Sequence, residues 1–262
     1  MMPTGSGHTG EGARFEDVVA TDEPRASRGW FLIGTDYGVG KTVIGGAIAW
    51  LLREAGRRAG VFKPIAVACR RDVRLGLVSS DAEFLAHCAD SPDDLAAINP
   101  VRFSQELDPM VAAERLRRPI DFNAIRESFE RIASHSDAMV VEGVGGLLTP
   151  LDRKTTVAEL AVEFGLPLVV IARAGLGAIG QVMLTVEAAR SRGLTVDAVV
   201  LNHYESMQPT LAEELNPEAI ARLARVPMPI VVPFDEHVDP ARGVMPGSIL
   251  FPLRTFVRRA LS

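Results

Sequence analysis

The sequence predicts an α/β protein built on a mostly parallel sheet with helices on both faces. Three observations predict it. Short, near-continuous apolar runs recur from Trp30 onward, as in strands buried on both faces. Amphipathic segments of helical period lie between them. Polar residues fall where several of the runs end, and ligands collect at the C-terminal ends of strands in such sheets.

The elements follow in order. WFLIGT (30–35) reads as a buried strand, and Thr42 to Arg57 as a helix with Val43, Ala47, Trp50 and Leu51 on one face. VFKPIAVA (61–68) opens as a second strand, which Pro64 should end near Lys63. The polar stretch CRRDVRLGLVSS (69–80) reads as a loop. DAEFLAHCA (81–89) reads as a short helix opened by Ser79, Ser80 or Asp81. DFNAIRESFERIASHS (121–136) is an amphipathic helix. AMVVEG (138–143), LPLVVIAR (166–173), VDAVVLN (196–202) and MPIVVPF (228–234) are further buried strands. Helices are expected near 156–164, 178–192 and 216–225. LFPLRTFVRRALS (250–262) has the basic amphipathic character of a membrane-surface helix, but the commoner reading is a last helix docked on the core.

Bulk properties narrow the function. The 262 residues are 47% hydrophobic and 23% charged, as in an ordinary globular protein. A net charge of −5 and 6% aromatic residues argue against a nucleic-acid partner. Residues 1–27 lack the basic start and apolar run of a signal peptide. They are expected to form a disordered tail before a single domain over 28–262. No apolar stretch reaches the roughly 18 residues of a membrane span. Cys69 and Cys88 lack metal-ligand or redox spacing and read as buried thiols of a cytoplasmic protein. None of the five histidines forms a metal pair or a nucleophile triad by spacing; His203 adjoins Asn202 and reads as structural or surface.

The chemistry centres on GTDYGVGKT (34–42), a glycine-rich turn between a strand and a helix. Its end matches a phosphate-binding loop, but position 35 is Thr35 where the common loop has glycine. In that setting backbone N–H groups of Gly38, Val39, Gly40 and Val43 and the helix N-terminus hold phosphate oxygens. Lys41 would reach the terminal phosphates and Thr42 would ligate Mg²⁺. Glu142 ends a buried apolar strand, where an acid is costly unless paired or metal-bound. Asp81 is either a second Mg²⁺ carboxylate or a helix cap. Lys63 either stabilises charge in phosphoryl transfer or reaches out to solvent.

Taken together, GTDYGVGKT (34–42), KP (63–64), SDA (80–82), VEGVGG (141–146), TPL (149–151) and LN (201–202) resemble the dethiobiotin synthetase family of P-loop NTPase-like enzymes. LDPMVAAERLRRPID (107–121) and GLGAIGQVMLTVEAARSRGL (175–194) are similar to two further family segments. That family's loop carries an extra residue before its second glycine, which accounts for the shifted Gly34. The resemblance implies a cytoplasmic, homodimeric ligase dependent on ATP and Mg²⁺. It would make dethiobiotin from 7,8-diaminopelargonate and CO₂ (from bicarbonate) in biotin synthesis. A carbamate of one amine attacks the γ-phosphate; the second amine then closes the ureido ring and expels phosphate.

The same resemblance implies residue roles. Thr42, Asp81 and Glu142 match the Mg²⁺ ligands, and Lys41 and Lys63 the active-site lysines. Asn202 would read the adenine edge and Pro233 would line the base pocket. Thr35, Tyr37, Lys63, Gly145, Leu176 and Gly177 would face the substrate, with the 175–180 turn serving the carboxylate across the dimer. The chain departs from the family at Tyr37 and Gly38 (usually Thr and Glu), at Ile65-Ala66-Val67-Ala68 (usually Ser or Thr, then Gly) and at Gly180-Gln181 (often Asn-His). These changes concern the diamine more than ATP. Two alternatives stand beside this reading. One is a paralogous P-loop ligase with another amine substrate. The other is a nucleotide-switched module of the MinD/ParA type, whose signature lysine is replaced here by Asp36.

Overall fold

A computed structural model describes residues 28–205 and 207–261, so the tail expected over 1–27 lies outside the described residues. The elements are β1 (Gly29–Gly34), α1 (Lys41–Glu54), β2 (Ala59–Phe62), β3 (Ile65–Ala66), β4 (Arg70–Asp72), β5 (Gly76–Val78), α2 (Ser80–Ala89), α3 (Leu95–Ile98), β6 (Val101–Arg102), α4 (Pro109–Leu116), α5 (Phe122–Ser134), β7 (Ala138–Gly146), α6 (Val157–Phe164), β8 (Leu168–Arg173), α7 (Ala178–Arg190), β9 (Val196–Tyr204), α8 (Leu211–Ala224), β10 (Ile230–Pro233) and α9 (Gly247–Leu261).

Six strands form one sheet in the order β10-β9-β8-β1-β7-β2, and each pairing is parallel. The sequence explains the burial. Phe31, Leu32, Ile33, Val140, Val141 and Val169 to Ala172 are inaccessible or nearly so, as near-continuous apolar runs require when helices cover both faces. Adjacent strand residues point to opposite faces. Accordingly Trp30 packs on Phe256 of α9, with ring centroids 4.8 Å apart. Phe31 points the other way, to Phe164 of α6, and Phe129 of α5 stacks on that same ring at 4.1 Å. The last helix is thus docked on the core through Ile249, Leu250, Leu253, Phe256 and Val257. Arg254 adds an ion pair to Glu54 at 2.8 Å. Among the described residues no helix is long and apolar enough to cross a membrane.

The structure corrects some local expectations. The stretch expected as a loop over 69–80 holds an antiparallel hairpin, β4 with β5, whose tip residues Val73 and Leu75 are exposed. Three residues per strand are too few for an alternating pattern to register. Pro64 does end the second strand, but the chain then adds a small parallel pair, β3 with β6. The helix expected near 216–225 starts at Leu211. Thr210 and Glu213 form a capping box there, and Pro217 is carried inside the helix. α4 lies in a segment to which no element was assigned, with Pro109 as its first residue.

Both cysteines are free and buried. Burial pushes the Cys88 thiol up to about 12, so almost no thiolate exists near neutrality. Native protein treated with iodoacetamide at about pH 8 is expected to leave Cys88 unlabelled, with labelling only after unfolding, as read by intact mass.

Candidate active site

The C-terminal ends of the parallel strands gather at one edge, and the site lies there. β1 runs into the glycine-rich turn, and Gly40 becomes the N-cap of α1 in the left-handed conformation (φ 93°). Only glycine suits this place: an added Cβ would lie 2.0 Å from Asn202 Nδ2. Gly38, at φ 66°, takes a second left-handed turn. Lys41 starts the helix and is buried, its ammonium donating to the Asp36 carbonyl at 3.0 Å. Burial, then the charge of Lys63, lower its pKa to about 8. Gly40→Ala is expected to lower stability by about 1–3 kcal/mol through left-handed strain alone, before any clash with Asn202; thermal or urea unfolding checks it.

Opposite the loop, Leu32 of β1 registers with Glu142 of β7. Glu142 is buried and accepts a hydrogen bond from Thr42 Oγ1 at 3.0 Å. Lys63, displaced from the end of β2 by Pro64, places its ammonium between Glu142 Oε1 and Asp81 Oδ2, the latter at 2.9 Å. Ser79, not Asp81, caps α2 through the Ala82 N–H, which leaves the Asp81 carboxylate for Lys63. Burial would lower the Lys63 pKa, but Glu142 and Asp81 outweigh it and hold the amine charged. Burial raises Glu142, against the pull of Lys63. Asp81 is lowered, chiefly by Lys63.

Two carboxylates face one ammonium here, and Glu142 Oε2 is buried without a hydrogen-bond partner. The hydroxyl of Thr42 and the carboxylates of Glu142 and Asp81 form an all-oxygen donor set with an orphaned acceptor, which fits Mg²⁺. Among the described residues no group of three or more His, Cys, Asp and Glu side chains converges as a metal cage. Mg²⁺ needs none, because phosphate oxygens and water complete its shell.

The other expected residues lie along the same edge. Asn202, near the end of β9, is buried and donates to the Val39 carbonyl at 3.0 Å. It braces the phosphate loop and registers beside Arg173. Pro233 ends β10 and registers with Tyr204, two residues beyond Asn202 on β9. His203 is left-handed (φ 60°) and sets its ring edge-on to Phe234 at 5.9 Å. Thr35 Oγ1 donates to Gln181 Oε1 of α7 at 3.3 Å. Tyr37 lies over the Gly145 turn, where an added Cβ would come 3.0 Å from its ring. Leu176 and Gly177 occupy the turn before α7, with Leu176 fully exposed. Val43 follows Thr42 in α1.

Sequence reasoning missed two residues. Arg173 donates to the Gly38 carbonyl at 3.1 Å. It ends an apolar strand, as Glu142 and Asn202 do, so the same rule could have found it. Asp108 accepts the Tyr37 hydroxyl at 2.8 Å, and no sequence signal marked that pairing.

A parallel sheet with a left-handed glycine loop opening α1 places the chain among P-loop nucleotide-binding proteins. The solved structures it resembles agree on the fold. A MinC:MinD complex from Aquifex aeolicus superposes with a TM-score of 0.59 at 13% identity, over 90% of this chain and 96% of that one. A ParA family ATPase from Chlorobium tepidum TLS gives 0.52 at 15% identity, over 90% and 99%. A family model described as "AAA domain" matches residues 28–242. Sequence relatives are nearer. An ATP-dependent dethiobiotin synthetase BioD from Anaeromyxobacter sp. (strain Fw109-5) is 41% identical over 75% of this chain and 85% of its own length. Those of Anaeromyxobacter sp. (strain K) and Thermodesulfovibrio yellowstonii are 39% and 32% identical, over 85% and 79% of this chain and 97% and 88% of theirs. The chain belongs to the ATP-dependent dethiobiotin synthetase family.

Proposed function

We propose that the protein is an ATP-dependent dethiobiotin synthetase, a ligase that closes the ureido ring of dethiobiotin from 7,8-diaminopelargonate, CO₂ and ATP. The observation that carries this reading is the Lys63 ammonium, buried between Glu142 and Asp81 and facing the phosphate loop. A charged lysine there offers a fixed donor to oxygens that gain charge during phosphoryl transfer.

The residues divide the work as follows. Backbone N–H groups of Gly38 to Val43 hold the phosphates, with Lys41 on the terminal pair. Asn202 and Pro233 hold the adenine. Thr42, Glu142 and Asp81 would hold Mg²⁺, which would supply positive charge against the phosphates. Lys63 and Lys41 orient the carbamate of one substrate amine. Its oxygen attacks the γ-phosphorus and ADP leaves, giving a carbamic–phosphoric anhydride. The second amine attacks the carbonyl carbon, phosphate departs, and the ring closes. Thr35, Tyr37 and Gly145 bound the substrate.

Leu176 and Gly177 serve the substrate carboxylate of a second copy in a homodimer. The exposed leucines Leu176, Leu184, Leu211 and Leu215, on the α7–α8 side, support that arrangement. The setting is cytoplasmic, in keeping with two unpaired cysteines. A nucleotide-switched module is less favoured. At the position of that class's signature lysine, Asp36 presents a carbonyl to Lys41 and a carboxylate to the Tyr37 N–H, acceptors rather than a cation.

Incubation with Mg·ATP, diaminopelargonate and carbon-13 bicarbonate should give dethiobiotin one mass unit heavy. Dethiobiotin that remains unlabelled, or none at all with every component present, contradicts the proposal.

A further inference from the structure

Tyr37 makes contacts that bind distant parts of the chain at the mouth of the site. Its hydroxyl donates to Asp108 Oδ1 at 2.8 Å, across 71 residues of sequence. Its ring lies against the Gly145 turn, and the Lys41 ammonium is 5.7 Å from the ring centroid. Asp108 precedes α4, whose Met110 N–H donates to the Pro150 carbonyl at 3.3 Å in the loop leaving β7. Tyr37 and Asp108 therefore link the glycine-rich loop to the Gly145–Pro150 turn and the start of α4.

Asp108 is an N-cap residue that makes no side-chain cap bond. An aspartate at that position ordinarily accepts a backbone N–H from its own helix. Here the carboxylate turns to the Tyr37 phenol instead. Among the described residues no lysine, arginine or histidine pairs with it, and it is solvent-exposed. Burial, then the bond to Asp108, push the Tyr37 phenol well above its ordinary pKa, so it remains a donor. A phenol can satisfy one lone pair of a carboxylate and leaves its charge uncompensated.

We propose that Tyr37 and Asp108 form a recognition pair for the cationic amine of the substrate. The Asp108 carboxylate takes the ammonium, and Tyr37 is the positioning residue that fixes it at the mouth. This rests on the synthetase reading, because an amine substrate enters only there. Carbamate formation requires one amine to be neutral. Its neighbour stays an ammonium until it releases a proton to solvent water and attacks as the free amine, and a carboxylate at the mouth suits the charge it carries before then.

The test uses the full chain and steady-state kinetics in which ATP and diaminopelargonate are varied separately. Asp108→Asn should raise the KM for the diamine roughly tenfold or more, with kcat and the KM for ATP within about twofold, since a charge-assisted bond to the ammonium is lost. Tyr37→Phe should raise the same KM less, and the double variant should match Asp108→Asn alone. Asp108→Glu should recover part of the loss. Rising salt should raise the wild-type KM for the diamine and leave that of Asp108→Asn nearly flat. An unchanged diamine KM in Asp108→Asn, or an equal loss on the ATP axis, overturns the pair. Failure of the wild-type protein to make dethiobiotin overturns the synthetase reading itself and is distinguishable from either result.

Discussion

Lys63→Ala is expected to lower turnover by roughly 10²–10³, the scale for removing one donor from a developing oxyanion. The ammonium sits at the end of the buried sheet edge, held charged by Glu142 and Asp81 against the cost of burial. No other described cation is placed between those carboxylates, and Lys41 is already committed to the loop side through the Asp36 carbonyl. The variant should also lose stability. Breaking a buried ion pair leaves an unpaired charge and costs about 3–5 kcal/mol. Glu142 is the group left behind, with the Thr42 hydroxyl as its remaining partner. Saturating Mg²⁺ should restore part of the melting temperature, because a cation then takes the place of the ammonium. Turnover within about threefold of wild type would show that Lys63 is not the transition-state donor.

Glu142→Gln is expected to shift the Mg²⁺ dependence of activity to higher concentration, by roughly tenfold or more. Perturbing even an outer-shell partner costs about 10–100-fold in metal affinity, and Glu142 Oε2 is a buried acceptor with nothing else to accept from. Glutamine keeps the volume, so the β7 packing around Val140 and Val141 should survive. Asp81→Asn should shift the same titration less, since its side chain is 41% exposed and water can replace it. An unchanged Mg²⁺ titration in Glu142→Gln would remove Glu142 from the metal site.

The sheet was legible because its strands are buried on both faces and written as apolar runs. VVE at 140–142 and VVIAR at 169–173 have no other simple reading, and their polar ends marked the site. Lys63 was legible because Pro64 had to stop the strand beside it. The small elements were not. β3 and β4 pair over two or three residues, too few for a period, and the partner of β3 is also remote in sequence. The cap of α2 was ambiguous among three neighbouring polar residues; geometry chose Ser79 and freed Asp81. The Tyr37–Asp108 contact was invisible for a different reason. Side-chain pairing across 71 residues leaves no local pattern, and an aspartate before a proline reads first as a helix cap.

The most direct measurement is phosphate release from Mg·ATP by the purified protein, with diaminopelargonate and bicarbonate added singly and together. A low basal rate is expected, with little change on adding either alone and strong stimulation with both, one phosphate per dethiobiotin formed. Release that proceeds at the same rate without the two substrates, or without dethiobiotin as product, would contradict the synthetase reading.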